Sequence, residues 1–514
     1  MARHKSESSI VPKGRRKSPS TERARGGKGT PVNEEIAQLG LAFATAEHPQ
    51  GAPHREERDL SRSSPHGALT ADAKTLKTLF ATLDCMVECL DEALTHVVRN
   101  KGVAGPNGRT VRQVQLDWPD TKRQLSRALR SGSYRPQPIR RVEIPKPGGG
   151  VRGLGIPNVE DRVVQEAIRM CLEPCFEPGF HPSSHGFRPK RSCHTAIAEA
   201  QQHVEAGYDV VVDLDLSKFF DRVHHQRLMA RVALKVHDRA LLVVIGRLLT
   251  CAVMMPDGSV VPTNEGVPQG GPLSPLLSNI VLDELDWELE RRGHRFVRYA
   301  DDVAIFVRSR RAADRVVRST TQFIEGRMRL KVNAEKSGVR SPDEGNFLGF
   351  RLGMKEDGTT EVLLSERTLR RATAKVRELT PRSWGRTFES CIAAVNQYFQ
   401  GWFGYFGICS INARNDMRSI DGRARRRLRA IKLKQWKTLR TIARKLNRMK
   451  RTPNVVRHVY EGRQKWWALS IRGIVHHRLS NFWFRQQGFM ALESRLLLRE
   501  RERVAPKQTM FAWG

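Results

Sequence analysis

Three aspartates in two separate segments are the residues of this sequence best suited to bind metal ions. Asp215 ends the Val-rich run 210–215, and Asp301 and Asp302 lie between two apolar runs in the segment 299–302, Tyr-Ala-Asp-Asp. Adjacent like charges repel each other and a half-buried carboxylate needs a partner, so a cation is expected at both places. Three carboxylates on neighbouring sheet elements could hold two Mg²⁺ about 3.5–4 Å apart, the arrangement for attack of a hydroxyl on a phosphate.

The segments around these aspartates have the patterns of strands. The runs 210–215, 296–299 and 303–307 are rich in β-forming residues, and the last two predict a hairpin with the Asp pair at its turn. Residues 347–350, Phe-Leu-Gly-Phe, are expected to form another short strand. The order of strands and helices predicts an α+β fold, with helices packed on one face of a sheet.

Two helices are also expected near the candidate site. Ser274 and Pro275 provide an N-cap and a proline in the first turn, and Leu276 and Leu277 begin an apolar face. From Asp161 onwards, apolar residues recur at helical spacing up to Cys171.

The charge of the chain indicates a polyanionic partner. The chain has 514 residues, with 89 Lys and Arg against 54 Asp and Glu, a net charge of +35. Nucleic acid is the commonest polyanion that such a protein binds. No apolar run approaches the roughly 20 residues of a membrane span, and the N-terminus lacks the apolar core of a signal peptide. The composition excludes collagen-like, secreted miniprotein and integral membrane classes, and no membrane partner is expected.

The eight cysteines are too few and too scattered for a disulfide scaffold. Cys85 and Cys89 are four residues apart, as are Cys171 and Cys175, so each pair would share one helix face. Since neither C-x-x-C pairs nor clustered histidines accompany them, we expect free thiols in a reducing cytoplasm and no zinc site.

Charge is distributed unevenly along the chain. Residues 1–70 are poor in apolar periodicity and are expected to be a disordered basic arm, either a solvated spacer or a loose RNA contact. Residues 361–514 carry 34 basic and 10 acidic side chains, a net charge of +24. This asymmetry predicts a catalytic body followed by a basic, mostly helical clamp.

The basic excess is densest between Arg418 and Arg451, with 15 basic residues and one acidic residue. Leu428, Ile431 and Trp436 form an apolar seam in this helical segment, and the cations spread around the remaining surface. Such a lopsided charge predicts phosphate binding. The candidate RNA-binding residues are Arg423, Arg425, Arg426, Arg427, Arg429, Lys434 and Lys437. Aromatic residues nearby, including Trp402 and Trp466, are expected mainly to pack, with base stacking as the alternative.

The order of several motifs resembles the successive blocks of reverse transcriptases, and their fuller wording resembles group II intron reverse transcriptase–maturases. The resemblance covers about residues 95–500. The motifs that carry it are 101–105 Lys-Gly-Val-Ala-Gly, 144–146 Ile-Pro-Lys, Arg152, 186–189 Gly-Phe-Arg-Pro, 213–221 with Asp213, Asp215 and Phe219-Phe-Asp221, 266–275 with Pro268-Gln-Gly-Gly271, 299–302, Asn333 with Lys336, 347–350, 401–406 Gly-Trp-Phe-Gly-Tyr-Phe, 425–429 and 434–437. At Pro106-Asn107 the family more often has Val-Asp, and no catalytic role is assigned to that difference.

The resemblance implies that Asp215, Asp301 and Asp302 are the catalytic triad, with the carbonyl of Leu216 as a further metal ligand. It implies two Mg²⁺ ions as cofactors, with Mn²⁺ as an alternative.

The resemblance also assigns nucleotide-binding roles to five residues. Lys146 and Arg152 flank a Gly-rich hairpin and would grip the triphosphate. Phe220 would exclude a ribose 2′-hydroxyl, with Phe219 as the alternative. Gln269 would line the nucleotide pocket, and Lys336 could protonate the departing pyrophosphate.

The implied architecture is a right-hand polymerase followed by helical domains. Residues 71–360 would form the fingers and palm, with an antiparallel sheet and packed helices. Residues 361–440 would form the thumb, and 441–514 the remainder of the basic maturase (X) domain, whose start could lie near residue 380.

The implied function is an RNA-directed DNA polymerase of the bacterial cytoplasm that binds its group II intron RNA, assists splicing and copies the intron into cDNA during retrohoming. Its partners would be intron RNA, a DNA target with primer, and dNTPs. Because no cysteine follows Cys409, a C-terminal metal-dependent endonuclease is not expected, and a primer would come from elsewhere. Two alternatives stay open, an RNA-binding maturase without polymerase activity and a reverse transcriptase co-opted for defence or repair. The intact aspartates and the Gln269 turn favour an active polymerase.

Overall fold

The computed structural model describes residues 81–145, 150–381, 385–450, 455–461 and 466–504. The arm expected over residues 1–70 and the candidate triphosphate ligand Lys146 lie outside these residues. Across the described ranges, no helix combines the length and the apolar character that a bilayer crossing requires.

The helices fall into two groups along the chain, those that alternate with the strands and those that follow the last strand. The first group comprises α1 (Leu83–Glu88), α2 (Leu90–Arg99), α3 (Val111–Leu116), α4 (Trp118–Arg130), α5 (Val159–Phe176), α6 (Cys193–Glu205), α7 (His225–Ala233), α8 (Arg239–Leu249), α9 (Ser274–Arg291) and α10 (Arg310–Gln322). The second group follows the last strand and comprises α11 (Glu366–Leu379), α12 (Phe388–Phe406), α13 (Arg414–Gln435), α14 (Leu439–Met449), α15 (Val455–Tyr460), α16 (Trp466–Leu469), α17 (Gly473–Arg478), α18 (Asn481–Gln486) and α19 (Leu492–Val504).

In the described part of the chain, the strands form three sheets. They are β1 (Ile139–Pro145), β2 (Val151–Ile156), β3 (Val210–Asp215), β4 (Val253–Met254), β5 (Val260–Val261), β6 (Arg295–Tyr299), β7 (Asp302–Val307), β8 (Gly338–Arg340), β9 (Phe350–Met354) and β10 (Thr360–Leu364). One sheet has the order β2-β1-β4-β5, another is the hairpin β9–β10, and the central sheet has the order β6-β7-β3-β8.

The central sheet is antiparallel throughout, and its register places the aspartates. Val210 faces Val307 and Asp215 faces Asp302 across β3 and β7, while Tyr299 faces Asp302 across β6 and β7. The predicted strands at 210–215, 296–299 and 303–307, and the hairpin between the last two, are confirmed.

Both faces of the central sheet are covered, so the expectation of helices on one face is wrong. Val212 and Leu214 join a core with helices that include α5, α9 and α10, whereas Val211 and Phe306 join a second core with α6 and α12. The physical reason is the uninterrupted Val run in β3, because continuous apolar runs are typical of strands buried on both sides.

Two local expectations need correction. Ser274 is the first helical residue of α9, and Leu273 is the N-cap; the Ser274 hydroxyl instead donates to the carbonyl of Pro268 at 2.6 Å. Residues 347–349 form a turn before β9, because Leu348 and Gly349 have φ angles of 52° and 86°, which no strand allows. The helix expected from Asp161 is confirmed as α5.

The helices after β10 pack around α13, which contacts α11, α12 and α19. Leu428, Ile431 and Trp436 are buried, so the predicted apolar seam is confirmed. Trp402 is also buried, in agreement with a packing role.

The eight cysteines are free thiols, five of them buried. Burial, followed by the nearby Cys85, raises the pKa of Cys89 to about 11, so this thiol is protonated at neutral pH.

Candidate active site

Asp215 and Asp302 are register partners on neighbouring strands of the central sheet. Directly opposed residues of an antiparallel pair have Cα atoms about 4.5–5.5 Å apart and side chains on the same face. Asp301 lies beside them in the turn between β6 and β7. The structure therefore brings the three predicted aspartates together at one end of the sheet.

The turn that carries Asp301 is short and unusual. Because Tyr299 pairs with Asp302, only Ala300 and Asp301 connect the two strands. Ala300 has a φ of 57°, a left-handed conformation that non-glycine residues adopt rarely. A Cβ on Gly186 would lie 2.2 Å from the backbone nitrogen of Ala300, so the segment that contains Gly186 presses directly against the turn. Neighbouring segments thus hold the turn in its conformation.

Negative charge accumulates at this end of the sheet. Partial removal from water, followed by the like charges of Asp301, Asp215 and Asp213, raises the pKa of Asp302 to about 6. Desolvation also raises the pKa of Asp301, and the charge of Arg152 opposes that rise. Both carboxylates would be stabilised in their ionised form by an added cation.

The donor set fits a hard divalent cation, since carboxylate oxygens are the ligands that Mg²⁺ prefers. As the side chains stand, no three His, Cys, Asp or Glu residues of the described ranges are grouped closely enough to enclose an ion. The raised pKa values of Asp301 and Asp302 are the observation that favours a cation here. Asp215, Asp301 and Asp302 are the residues that would hold it.

The loop before β8 brings Lys336 to the aspartates. Lys336 Nζ lies 3.6 Å from Asp215 Oδ2, with 65% of its side chain exposed. The same loop is tied to β3, because the backbone N–H of Asp215 donates to Ser337 Oγ at 3.0 Å and that of Asn333 donates to the Asp215 carbonyl at 2.8 Å. The loop is therefore fixed against β3 at a position from which the Lys336 amine reaches Asp215.

Arg152 and Gln269 meet on the side of the site formed by β2. Arg152 Nε donates to Gln269 Oε1 at 3.2 Å, and the Gly155 N–H donates to the Gln269 carbonyl at 2.7 Å. Gly270 has a φ of 110°, and a Cβ there would lie 2.6 Å from the Gly155 carbonyl oxygen, so its position demands glycine. The expected partner Lys146 lies outside the described residues.

The two adjacent phenylalanines have different environments. Phe219 is 2% exposed and belongs to the core, whereas Phe220 is half-buried beside it, with ring centroids 5.2 Å apart. Leu216 directly follows Asp215, and because its aliphatic side chain has no donor atom, only its backbone carbonyl could serve as a ligand.

The candidate RNA-binding residues of α13 and the following turn divide into two groups. Arg423, Lys434 and Lys437 are exposed, and Arg426 is half-buried with its guanidinium 4.0 Å from the centre of the Trp467 ring.

The other three candidates are engaged in packing. Arg425 and Arg429 are 8% and 3% exposed, and Arg429 Nε donates to the Leu479 carbonyl at 2.9 Å. Arg427 Nε donates to Thr380 Oγ1 at 2.6 Å and ties α13 to the end of α11. Little of Arg425 or Arg429 is therefore accessible to a phosphate, because these side chains face the interior of the helical region.

Sequence reasoning did not single out Arg298, Asp286 or Arg367. Arg298 and Asp286 form an ion pair in which both side chains are 0% exposed. The sequence did indicate that Arg298 is buried, because strand alternation places it on the same side as the core residue Phe296. Arg367, in the first turn of α11, opposes the rise in the pKa of Asp302, and nothing in its local sequence indicated this proximity.

Two family matches cover much of the described chain. Residues 144–352 match the family described as reverse transcriptase (RNA-dependent DNA polymerase), and residues 369–451 match the group II intron, maturase-specific domain. The first match contains the three aspartates, and the second contains the whole of α13.

Similar proteins include intron-encoded ones. Protein YkfC of Escherichia coli is 33% identical over 309 residues, which cover 52% of this chain and 80% of YkfC. The putative COX1/OXI3 intron 2 protein of Saccharomyces cerevisiae is 27% identical, covering 54% of this chain and 39% of that protein. The group II intron-encoded protein LtrA of Lactococcus lactis is 29% identical, covering 46% of this chain and 50% of LtrA. The chain thus spans less than two thirds of either intron protein. It belongs to the family of group II intron-encoded reverse transcriptase–maturases.

Proposed function

We propose that this protein is an RNA-directed DNA polymerase that also binds a group II intron RNA, assists its splicing and copies it into cDNA. The register pair of Asp215 and Asp302, with Asp301 in the adjoining turn, is the observation that carries the polymerase proposal. Membership of the family and the basic α13 support the RNA-binding part.

The aspartates would act by binding the metal ions that carry positive charge into the site. Bound Mg²⁺, as two ions in the proposed site, would activate the primer 3′-hydroxyl and neutralise the leaving pyrophosphate. Asp215 and Asp302 offer carboxylates from facing strands, and the Leu216 carbonyl would be a further ligand. Because the sheet is packed on both faces, the strands that carry these carboxylates are held in place before an ion binds.

The neighbouring cations would bind the incoming nucleotide. Arg152, held by Gln269, would contact the triphosphate together with Lys146, and Gln269 would line the nucleotide pocket. Lys336, 3.6 Å from Asp215, would protonate the departing pyrophosphate. Phe220 would exclude the ribose 2′-hydroxyl, since it is the less buried of the two phenylalanines.

The domain layout follows from the same proposal. Residues 71–360 would form fingers and palm, with the central sheet in the palm; 361–440 would form the thumb and 441–514 the remainder of the X domain. The maturase-specific match at 369–451 overlaps the proposed thumb, which supports an earlier start of the maturase region, near residue 380.

The proposed RNA surface centres on the exposed cations Arg423, Lys434 and Lys437. Arg426 would join them from its position over Trp467, because a guanidinium stacked on an indole keeps N–H groups at its edge available to a phosphate.

Primer extension by the full chain tests the proposal. On poly(rA) primed with oligo(dT), in Mg²⁺, we expect dTTP incorporation that EDTA abolishes. Binding of a group II intron RNA is measured in parallel by filter retention. Tight intron binding without any extension would support the maturase-only alternative, and the absence of both would overturn the proposal.

A further inference from the structure

Arg298 is a fully buried arginine immediately before the catalytic turn, and every one of its N–H groups has a partner. Nε and Nη2 donate to the two carboxylate oxygens of Asp286 at 2.7 and 2.5 Å. Nη1 donates to Asn279 Oδ1 and to the carbonyl of Ala300, both at 2.9 Å, and Nη2 also donates to Ser184 Oγ at 2.7 Å. An arginine has five N–H donors, so this one is saturated.

These partners come from three separate parts of the chain. Asn279 and Asp286 lie on α9, Ser184 lies in the segment before α6, and Ala300 is in the turn that carries the aspartates. Strand alternation places Arg298 on the face of the sheet opposite Asp215 and Asp302. The guanidinium therefore reaches the turn from behind, without access to substrate.

The segment 183–186 holds the turn from a second side. The backbone of Arg298 donates to the Ser183 carbonyl and accepts from the His185 N–H, both at 2.8 Å. Gly186 approaches Ala300 so closely that a Cβ would clash with its nitrogen.

Asn279 links the two sides. Its Nδ2 donates to the Gly186 carbonyl at 2.9 Å, while its Oδ1 accepts from Arg298. The residue Ala300 is thereby fixed at its carbonyl by Arg298 and confined at its nitrogen by Gly186.

A buried ion pair is an inefficient way to stabilise a core, because an apolar pair of similar volume is often as stable. Such a pair can instead specify one geometry. Here that geometry includes Ala300 at a φ of 57°, a conformation that persists only when its surroundings impose it.

We propose that Arg298, held by Asp286 and Asn279, is a positioning residue that fixes the Ala300 carbonyl and thereby the direction in which the Asp301 and Asp302 carboxylates point. The inference rests on the proposed polymerase function, and Arg298 contacts neither nucleotide nor metal. Arg298 would raise the rate of the reacting complex and leave template–primer affinity unchanged.

An apolar double variant separates an effect on the position of the aspartates from an effect on the stability of the fold. Arg298→Met with Asp286→Leu removes both charges at once, so neither is left buried alone. The matched control is Arg169→Met with Glu166→Leu, another ion pair of low exposure on α5, whose other hydrogen bonds join His96 and Glu173 and not the turn. Melting temperature, kcat for extension, the Mg²⁺ concentration for half-maximal rate and template–primer Kd are measured for each.

We expect the double variant at Arg298 and Asp286 to lose about 100-fold in kcat, the effect of displacing reacting groups by about 1 Å. Half-maximal rate should require several-fold more Mg²⁺, with template–primer Kd unchanged. The control pair should keep wild-type kcat and Mg²⁺ dependence. If the double variant at Arg298 and Asp286 folds and keeps the wild-type kcat and the wild-type Mg²⁺ dependence, the inference is overturned.

A second variant covers the case in which the apolar pair does not fold. Arg298→Lys keeps the charge opposite Asp286, but a single ammonium cannot reach Asp286, Asn279 and the Ala300 carbonyl together. The same loss of kcat is expected, and wild-type kcat would contradict the proposed role.

Hydrogen exchange provides a readout that does not require polymerase activity. In the lysine variant, amides of residues 299–303 should exchange at least about tenfold faster than in wild type, and amides of α5 should not change. Unaltered exchange in the turn would reject the positioning role even if the protein is inactive as a polymerase, whereas an inactive wild type would reject only the proposed function.

Discussion

The backbone of Gly186 lies directly against the backbone of Ala300. A Cβ atom on residue 186 would be only 2.2 Å from the Ala300 nitrogen. The two residues belong to different segments, the loop before α6 and the turn between β6 and β7. The turn that carries the proposed catalytic aspartates is therefore confined by a residue that has no functional group.

Gly186→Ala should displace the turn and slow catalysis. We expect the extension rate to fall about 10–100-fold, because sub-ångström to ångström shifts of reacting groups have such effects. Gly246→Ala, in the interior of α8 with open space around its Cα, is the matched control. The control should retain activity and gain about 0.5–1 kcal/mol of stability. Equal activity of the two variants would show that the turn tolerates the added methyl group.

Asp302→Asn should abolish extension, whereas Asp213→Asn should retain most of it. Both substitutions remove one negative charge from the same face of the sheet, but only Asp302 faces Asp215. We expect the Asp302 variant to lose at least about 10²–10³-fold in rate, as for other groups that stabilise the transition state electrostatically. Single-nucleotide extension at saturating primer–template measures this. A comparable loss in the Asp213 variant would assign the metal-binding role to the face as a whole.

Phe220→Ala should relax the selection of deoxyribonucleotides. Removing the half-buried ring opens space beside the sugar, and discrimination against ribonucleotides should fall by about 10–200-fold, the range for one apolar contact in a pocket. The ratio of kcat/KM for dTTP and UTP measures it. Phe219→Ala is the control; it should destabilise the fold by about 3–5 kcal/mol without changing this ratio. Selectivity lost in the Phe219 variant alone would reverse the assignment.

Replacing Arg423, Lys434 and Lys437 by glutamine should weaken binding to the intron RNA. Each lost phosphate contact lowers the magnitude of the slope of log K against log salt by about 0.7–0.9, so the loss of three contacts should lower it by about 2–3. The matched control replaces Arg311, Arg315 and Arg318, three exposed cations of α10. Titrations at several salt concentrations distinguish the two sets, and an equal change in both would indicate a nonspecific effect of net charge.

The stability of the fold should decrease in acid through Glu199. Although partial burial raises it, hydrogen bonds from His185, His203 and Ser183 lower the pKa of Glu199 to about 2. Because the folded pKa is below the unfolded value near 4.5, this stabilisation is complete above about pH 4.5 and disappears as the pH falls towards 2.

Glu199→Gln isolates this contribution. The variant should be less stable than wild type by about 1–3 kcal/mol at pH 6, and the gap should close between pH 4.5 and 2. Chemical denaturation at a series of pH values measures it. Arg191 also faces Glu199 electrostatically and stays charged throughout, so it does not alter the direction. A gap that is independent of pH would mean that Glu199 contributes by packing alone.

Several features of this protein follow from sequence alone. The Val run before Asp215, the apolar runs on either side of Asp301 and Asp302, and the order of the surrounding motifs were sufficient to predict the strands, the hairpin and the family. These are local properties, since β-propensity, turn length and motif spacing are set by neighbouring residues.

Sequence could not decide which charged residues face inwards. Arg425 and Arg429 belong to a run of arginines that looks uniformly exposed, yet both are buried because α13 is surrounded by other helices. The second covered face of the central sheet also depends on segments that are distant along the chain, α6 and α12.

The aspartates themselves were determined by sequence, and their orientation was decided by tertiary structure. Asp286 and Asn279 on α9 hold Arg298, which donates to the Ala300 carbonyl, and Gly186 lies against the Ala300 nitrogen. These contacts form only after the chain has folded. Local propensity cannot specify this convergence, because the left-handed φ of Ala300 is unfavourable by itself and is maintained by long-range contacts.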